Sequence, residues 1–378
     1  MIKFSIPTMT GDEEKYIMEV FHHKTSSTEG SFINRCNAWF EEKTGTPRAL
    51  LTGSCTHALE LAALLFNIET GDEVIMPSFT FPSTANAFIL RGAKVVFVDI
   101  RPDTMNMDET LIEAAVTERT KAIVPVHYAG VACEMDTIMD IAKRHGLHVA
   151  EDAAQGFMAE YKGRMLGTIG HVGAYSFHET KNFQCGGEGG MVLLNDESLI
   201  RRGEILREYG TNRSQFFRGE VDKYSWQEVG STWRLNEINA AYLYAQLLHA
   251  NEINDDRLRT WNAYYEKLHH LEDEGRLELQ KIPENCRHNG HIFYLKVKDL
   301  DERSAVLKYL KENGVYAVFH FVPLHASKAG KKHCTFHGTD TYTTKESERL
   351  IRLPLYYKMS AEDISTVCRA VEGFFKAG

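Results

Sequence analysis

Residues 122–156 read AIVPVHYAGVACEMDTIMDIAKRHGLHVAEDAAQG, and the order of elements in this stretch decides the fold. Two short apolar runs, AIVPVH at 122–127 and LHVAEDA at 147–153, flank a helix-compatible segment from about Met135 to His145. Short apolar runs separated by a helix read as strands buried on both faces, and a helical crossover joins parallel neighbours. The same rhythm extends upstream. Residues 56–67 read as a buried helix because leucine and alanine cover nearly every face, VIMP at 74–77 comes next, a second helix stops near Gly92, and KVVFVDI occupies 94–100. Downstream, GAYSF at 173–177 and GGMVLLN at 189–195 read as neighbouring strands joined through a turn that carries Lys181. The expectation is an α/β protein with a mostly parallel central sheet.

From 235 to 268 the chain is helix-compatible and almost free of Gly and Pro, long enough to link two domains. Beyond it, HIFYLKV at 291–297, a helix candidate at 302–313 and VYAVFHFVP at 315–323 make an α+β pattern. Helices near 344–352 and 361–375 close it. The expected division is a large domain at 1–245 and a smaller C-terminal α+β domain at 246–378, in keeping with a length of 378 residues.

Composition narrows the function. A formal charge of −9 without a basic block argues against nucleic acid as a partner. Seven scattered cysteines, odd in number and never in a CxxC pair, read as reduced thiols. The opening MIKFSIPTMTGDEEKY has no apolar core of signal-peptide length, and no run approaches the roughly 18 apolar residues of a membrane span. A cytoplasmic protein without a membrane partner is expected.

In an open parallel sheet, ligands bind at the carboxyl ends of the strands, which is where the polar motifs fall. Asp152 of EDAAQG (151–156) ends one strand, and Lys181 of SFHETKN (176–182) comes after another. An amine on a rigid turn forms a Schiff base with an aldehyde cofactor, and a carboxylate beside a pyridine nitrogen keeps that nitrogen protonated. The pair is the minimal equipment for pyridoxal phosphate chemistry. TGSCTHALE (52–60) puts glycine, hydroxyls and a thiol where the first buried helix begins, so its free N–H groups and dipole suit a phosphate. PSFTFPSTANA (77–87) offers Phe79 and Phe81 for stacking on a planar ring, and the glycines of CGGEGG (185–190) permit close backbone approach. Each motif has an ordinary reading as well. Ser and Thr cap helices, a strand-end Asp caps turns, aromatics fill cores, and most lysines are solvated. Specificity lies in their conjunction and order.

That order resembles the DegT/DnrJ/EryC1/StrS sugar aminotransferases, which share the aspartate aminotransferase fold type I. PSFTF, PVHYAG, EDAAQG, SFHETKN, GGEGG, PLH at 323–325 and RLPLYY at 352–357 carry the resemblance over essentially the whole chain. The resemblance implies a pyridoxal 5'-phosphate enzyme that moves the amino group of L-glutamate to the 4-keto carbon of a dTDP-4-keto-6-deoxyhexose, for cell-surface polysaccharide. The product it implies is dTDP-4-amino-4,6-dideoxygalactose, with the gluco epimer, or another nucleotide-keto-sugar as substrate, as the alternative. Lys181 would hold the cofactor and shuttle the proton. Asp152 would support the pyridinium, Gln155 the ring hydroxyl, Phe81 one ring face, and Cys55, Thr56 and Ser176 the phosphate. Relatives carry GxNxR, whose Asn reaches a phosphate across a homodimer interface; here GSTWR (230–234) places Thr232 at that position. His127, His320 and His325 are candidates for the substrate site, with structural histidines the equal alternative. TNRSQFFRGEVDKY (211–224) interleaves Arg213, Arg218 and Lys223 with two phenylalanines, which suits a nucleotide diphosphate or an ordinary solvated loop.

Three other readings compete. A nicotinamide dehydrogenase lacks its GxGxxG here. A zinc site at His333, Cys334 and His337 lacks a second ligand pair, and no metal is expected. A non-enzymatic regulator or binding module of the same fold would not need Lys181.

Overall fold

The computed structural model describes residues 1–22 and 31–377. Its centre is an eight-stranded sheet built from β1 (Arg48–Thr52), β2 (Glu73–Pro77), β3 (Lys94–Val98), β4 (Thr120–Ile123), β5 (His148–Asp152), β6 (Val172–Ser176), β7 (Gly190–Leu194) and β8 (Cys334–Phe336). The strands lie in the order β1-β7-β6-β5-β4-β2-β3-β8. Only β7 runs against its neighbours β1 and β6, whereas the β2, β3, β4, β5, β6 and β8 pairings are parallel. The expected mostly parallel sheet is therefore the observed one.

Both faces of the sheet are covered, which is why its strands read as continuous apolar runs rather than alternating ones. Ile75, Ile123 and Val149 pack into one core with Met135 and Ile138, while their neighbours Val74, Met76, Ala122 and Ala150 pack into the other with Leu59 and Ala62. Helix α1 (Cys55–Leu65) belongs to the second core, and α2 (Pro82–Ile89) packs against it. Helix α3 (Met135–His145) buries Met135, Ile138, Ile141 and Ala142 along one stripe and ends at Gly146, whose φ of 65° is the left-handed cap that glycine adopts without steric cost.

Two strand limits differ from the sequence reading for physical reasons. The run 122–127 leaves the ladder after Ile123, because Pro125 has no N–H to donate. Contact with β5 resumes through Asp152 N–H to Pro125 O at 2.9 Å and His127 N–H to Asp152 O at 3.1 Å. The run 315–323 forms no strand; Val315 and Val318 make single bridges to Ile2 and Arg352. The long helix expected at 235–268 is two helices, α4 (Glu237–Leu247) and α5 (Ala250–Asp273), with a bend at Leu248 and His249.

The C-terminal part has its own core of Trp261, Tyr264, Phe293, Leu295, Ile351 and Val367, around a three-stranded antiparallel sheet of Glu278–Leu279, Tyr294–Lys296 and Leu350–Arg352. The chain crosses the expected division at 245/246 in both directions. Cys334–Phe336 returns to the edge of the large sheet as β8, and Ile2 pairs beside Val315. Among the described residues no helix is long and apolar enough to cross a membrane.

Candidate active site

The carboxyl ends of β2, β5 and β6 open into a cavity of about 360 Å³ that also meets the start of α1 and the C-terminal layer. Cys55, Thr56, Phe81, Asp152, Gln155, Ser176, Lys181 and His320 all line it, so eight of the residues singled out in the sequence converge on one space.

Lys181 comes after β6 in a turn held by its own N–H to His178 O at 2.9 Å. Burial keeps its amine below the ordinary lysine range, with Arg352 acting in the same direction and Cys55 and Asp152 opposing. A less basic amine spends more time unprotonated, as a nucleophile and proton carrier must. Beside it, Asn182 Oδ1 accepts from His291 Nδ1 at 2.7 Å. His291 also lines the cavity, and burial, then the nearby Lys181 and Arg257, hold its ring neutral.

Asp152 ends β5 with both carboxylate oxygens engaged. Ala154 N–H donates to Oδ1 at 3.1 Å and the Thr84 hydroxyl to Oδ2 at 2.6 Å. Having given its proton to the carboxylate, Thr84 accepts from the Thr80 hydroxyl at 2.8 Å. This buried backing aims the carboxylate into the cavity. Gln155 accepts the Ala129 N–H on Oε1 at 2.6 Å, which leaves its Nε2 donor for the cavity. Phe81 sits one residue before α2 and is 61 % exposed, a ring standing at the cavity wall with one face uncovered. Phe79 takes the ordinary role, buried against Tyr128 and Phe321.

At the start of α1, Ser54 caps the helix by accepting the His57 N–H at 3.1 Å, and the Thr56 hydroxyl donates to Ser83 Oγ at 2.8 Å. The turn lies so close to β7 that a Cβ on Gly190 would come 2.3 Å from Cys55 N, so the glycine of GGEGG is required by backbone approach. Burial raises the Cys55 thiol well above its usual range, leaving it neutral beside an anion. A helix start flanked by the Ser176 and Thr56 hydroxyls has the donors and the dipole that could hold a phosphate.

The sequence reading missed the polar wall from the C-terminal layer. Arg352 donates through Nη1 to His320 Nε2, which puts the His320 proton on Nδ1, facing the Tyr128 hydroxyl at 3.2 Å. The Arg352 guanidinium also stacks over Phe4 at 4.6 Å, and burial pushes its pKa down to about 10. RLPLYY contained this arginine, but its distance from Lys181 in the chain concealed the contact.

Six candidates are not brought to the cavity of their own chain. His127 is fully buried with both ring nitrogens engaged: Nδ1 accepts the Cys133 N–H at 3.2 Å and Nε2 donates to Glu151 at 2.9 Å. It is a structural histidine. His325 is held by Ser78 and Asp340. Arg218 is paired with Glu204 at 2.8 Å and Glu220 at 2.6 Å, Arg213 lies over Phe217 at 5.0 Å, and Lys223 is exposed. Thr232 is exposed on a single bridge to Glu208. Among the described residues no group of three or more His, Cys, Asp and Glu side chains is arranged to hold a metal.

The DegT/DnrJ/EryC1/StrS aminotransferase family model matches residues 7–372. The spore coat polysaccharide biosynthesis protein SpsC of Bacillus subtilis is 34 % identical over 387 aligned positions, covering 99 % of this chain and 97 % of SpsC. DesV of S. venezuelae, solved in complex with a ketimine intermediate, superposes with a TM-score of 0.89 at 29 % identity, over 99 % of this chain and 98 % of DesV. The PLP-form of the putative sugar aminotransferase Spr1654 from Streptococcus pneumoniae gives 0.89 at 25 % identity, over 100 % and 99 % of the two chains.

Proposed function

The chain belongs to the DegT/DnrJ/EryC1/StrS aminotransferase family, a pyridoxal-phosphate sugar aminotransferase family, and from that premise we propose that it converts dTDP-4-keto-6-deoxy-D-glucose and L-glutamate to dTDP-4-amino-4,6-dideoxy-D-galactose and 2-oxoglutarate. The observation that carries the proposal is the less basic Lys181 opening onto the same cavity as the doubly held Asp152. The choice of sugar rests on two phrases, VPVHYAGVACEMDTI at 124–138 and TNRSQFFRGEVDKY at 211–224. Both resemble the dTDP-4-amino-4,6-dideoxygalactose transaminase of enterobacterial common antigen synthesis. The cytoplasm, where nucleotide sugars are made, is the proposed location.

Bound pyridoxal phosphate supplies the aldehyde and the electron-withdrawing ring. The chain supplies everything else. Lys181 Nζ would hold the aldehyde until the incoming amine of glutamate displaces it, and the freed amine would then take the proton from Cα of glutamate and, in the return half, deliver one to C4 of the sugar. Asp152 keeps the ring nitrogen protonated, Gln155 Nε2 donates to the ring oxygen, Phe81 covers one face, and the α1 start with Cys55, Thr56 and Ser176 holds the phosphate. The neutral His320 and His291 leave Arg352 as the cation facing an incoming carboxylate or hydroxyl.

NMR of the product made from the keto sugar, glutamate and cofactor tests the proposal. An axial amino group at C4 is the expected result. An equatorial one moves the assignment to the gluco epimer, and absence of amination rejects this sugar.

We further propose a homodimer in which Thr232 and the 211–224 loop, with Arg213, Arg218 and Lys223, serve the partner's cavity. The exposure of Arg218, Lys223 and Thr232 and the absence of all four side chains from the lining of their own cavity support this, and two-fold association is the commonest oligomer. Mixing inactive Lys181→Ala with an inactive Thr232→Asp variant should restore about a quarter of wild-type activity, since about half the dimers are hybrids with one intact site each. No recovery after verified subunit exchange rejects shared sites.

A further inference from the structure

His325 was expected at the substrate and lies elsewhere, in a partly buried relay that the chemistry above does not use. Its Nδ1 is 2.6 Å from Ser78 Oγ and its Nε2 is 3.1 Å from Asp340 Oδ2. A carboxylate only accepts, so Nε2 carries a proton towards Asp340, and Nδ1 shares the second hydrogen bond with the Ser78 hydroxyl. Asp340 is fixed in turn by the Thr344 N–H at 3.0 Å and its hydroxyl at 2.5 Å. Ser78 also receives the His325 N–H on Oγ at 3.4 Å, and its carbonyl accepts the Leu324 N–H at 2.9 Å. Serine, histidine and aspartate here are not a hydrolytic triad, because Ser78 is fully buried and no acyl donor can reach it.

Ser78 is the first residue of the turn that builds one wall of the cavity. β2 ends at Pro77, and residues 78–84 carry Thr80 and Thr84, which back Asp152, and Phe81 and Ser83, which line the cavity. A clamp on Ser78 therefore sets the origin of the whole turn. It comes from residues 324–344, in the C-terminal part of the chain, so it also couples that part to the floor of the cavity.

We propose that His325 is a positioning residue for the pyridoxal-phosphate site: through Ser78 it fixes the 78–84 turn, and through Thr84 and Phe81 it fixes the groups that face the cofactor ring. The proposal rests on the reading that Asp152 and Phe81 contact that ring. His325→Ala and Ser78→Ala, made singly and together in the full chain, test it. Amide exchange at 79–84 in the cofactor-free protein should accelerate roughly tenfold in each, the cofactor dissociation constant should rise by a similar factor, and the double variant should be no worse than the worse single one. KM for the nucleotide sugar should stay constant while kcat falls. Asp340→Asn, which sets an amide NH₂ against either the Thr344 N–H or the Nε2 proton, should fall between wild type and His325→Ala, and Asp340→Leu should behave as His325→Ala. Unchanged exchange at 79–84, unchanged cofactor affinity, or an effect confined to KM for the sugar would overturn the proposal. Asp152→Asn measured alongside must itself weaken cofactor binding; if it does not, the placement of the ring is at fault.

Discussion

Replacing Lys181 with alanine should abolish turnover, by at least about 10⁴-fold, while the protein still binds pyridoxal phosphate noncovalently. On the proposed mechanism the amine is both the covalent anchor and the proton carrier, so its loss removes two functions, whereas the α1 start, Gln155 and Asp152, which line the same cavity, would remain to hold the cofactor. Absorbance should report bound cofactor as free aldehyde rather than as Schiff base. Wild-type turnover by this variant, with cofactor present, would reject the mechanism. The same side chain costs the empty protein stability. Its pKa is lowered from 10.5 on folding, so the unfolded chain binds the proton more tightly. Below the folded pKa the penalty is complete, and it fades as pH rises from there towards 10.5. Cofactor-free Lys181→Met should therefore melt above cofactor-free wild type at neutral pH, with the gap closing as the pH approaches 10.5. A gap independent of pH would mean that the methionine stabilises by packing alone.

The second large effect is expected at Asp152. Asp152→Asn keeps the shape but loses the charge that holds the ring nitrogen protonated, and should lower kcat about 10²- to 10³-fold, ~2.7–4 kcal/mol. It also confronts an amide NH₂ with one of two donors, the Thr84 hydroxyl or the Ala154 N–H. Thr84→Val leaves Oδ2 without its donor yet keeps the charge, so it should cost about tenfold or less. Single-turnover amination with glutamate, monitored through the cofactor spectrum, measures both. Equal losses in Asp152→Asn and Thr84→Val would show that orientation, rather than charge, is the contribution of Asp152.

Much of this site was legible because it is built from local signals repeated at strand ends. The largely apolar runs at 74–77, 94–100, 147–153, 173–177 and 189–195 declare a covered sheet, since strands packed on both faces lose the alternation of a half-exposed strand. Once the sheet is parallel, Asp152 and the turn after Ser176 must emerge on the same edge. Lys181, Asp152, Phe81 and the α1 start are placed by that geometry without knowledge of any long-range contact.

The hidden part depends on side chains far apart in the sequence. No local pattern shows that Thr84 reaches Asp152, that Arg352 stands over Phe4, or that His325 closes on Ser78 across 247 positions. His127 and His320 were equivalent as letters. One is sealed against Glu151 and the other lines the cavity beside Arg352, each set by a partner more than twenty positions away in the chain. The sequence by itself determined most elements of the central sheet, its mostly parallel character and the residues at the strands' carboxyl ends, all set by period and local backbone preference. Only the tertiary structure decided which polar groups meet, because burial in a shared cavity, rather than position in the chain, determines which amine is made less basic and which donors hold the carboxylate beside it.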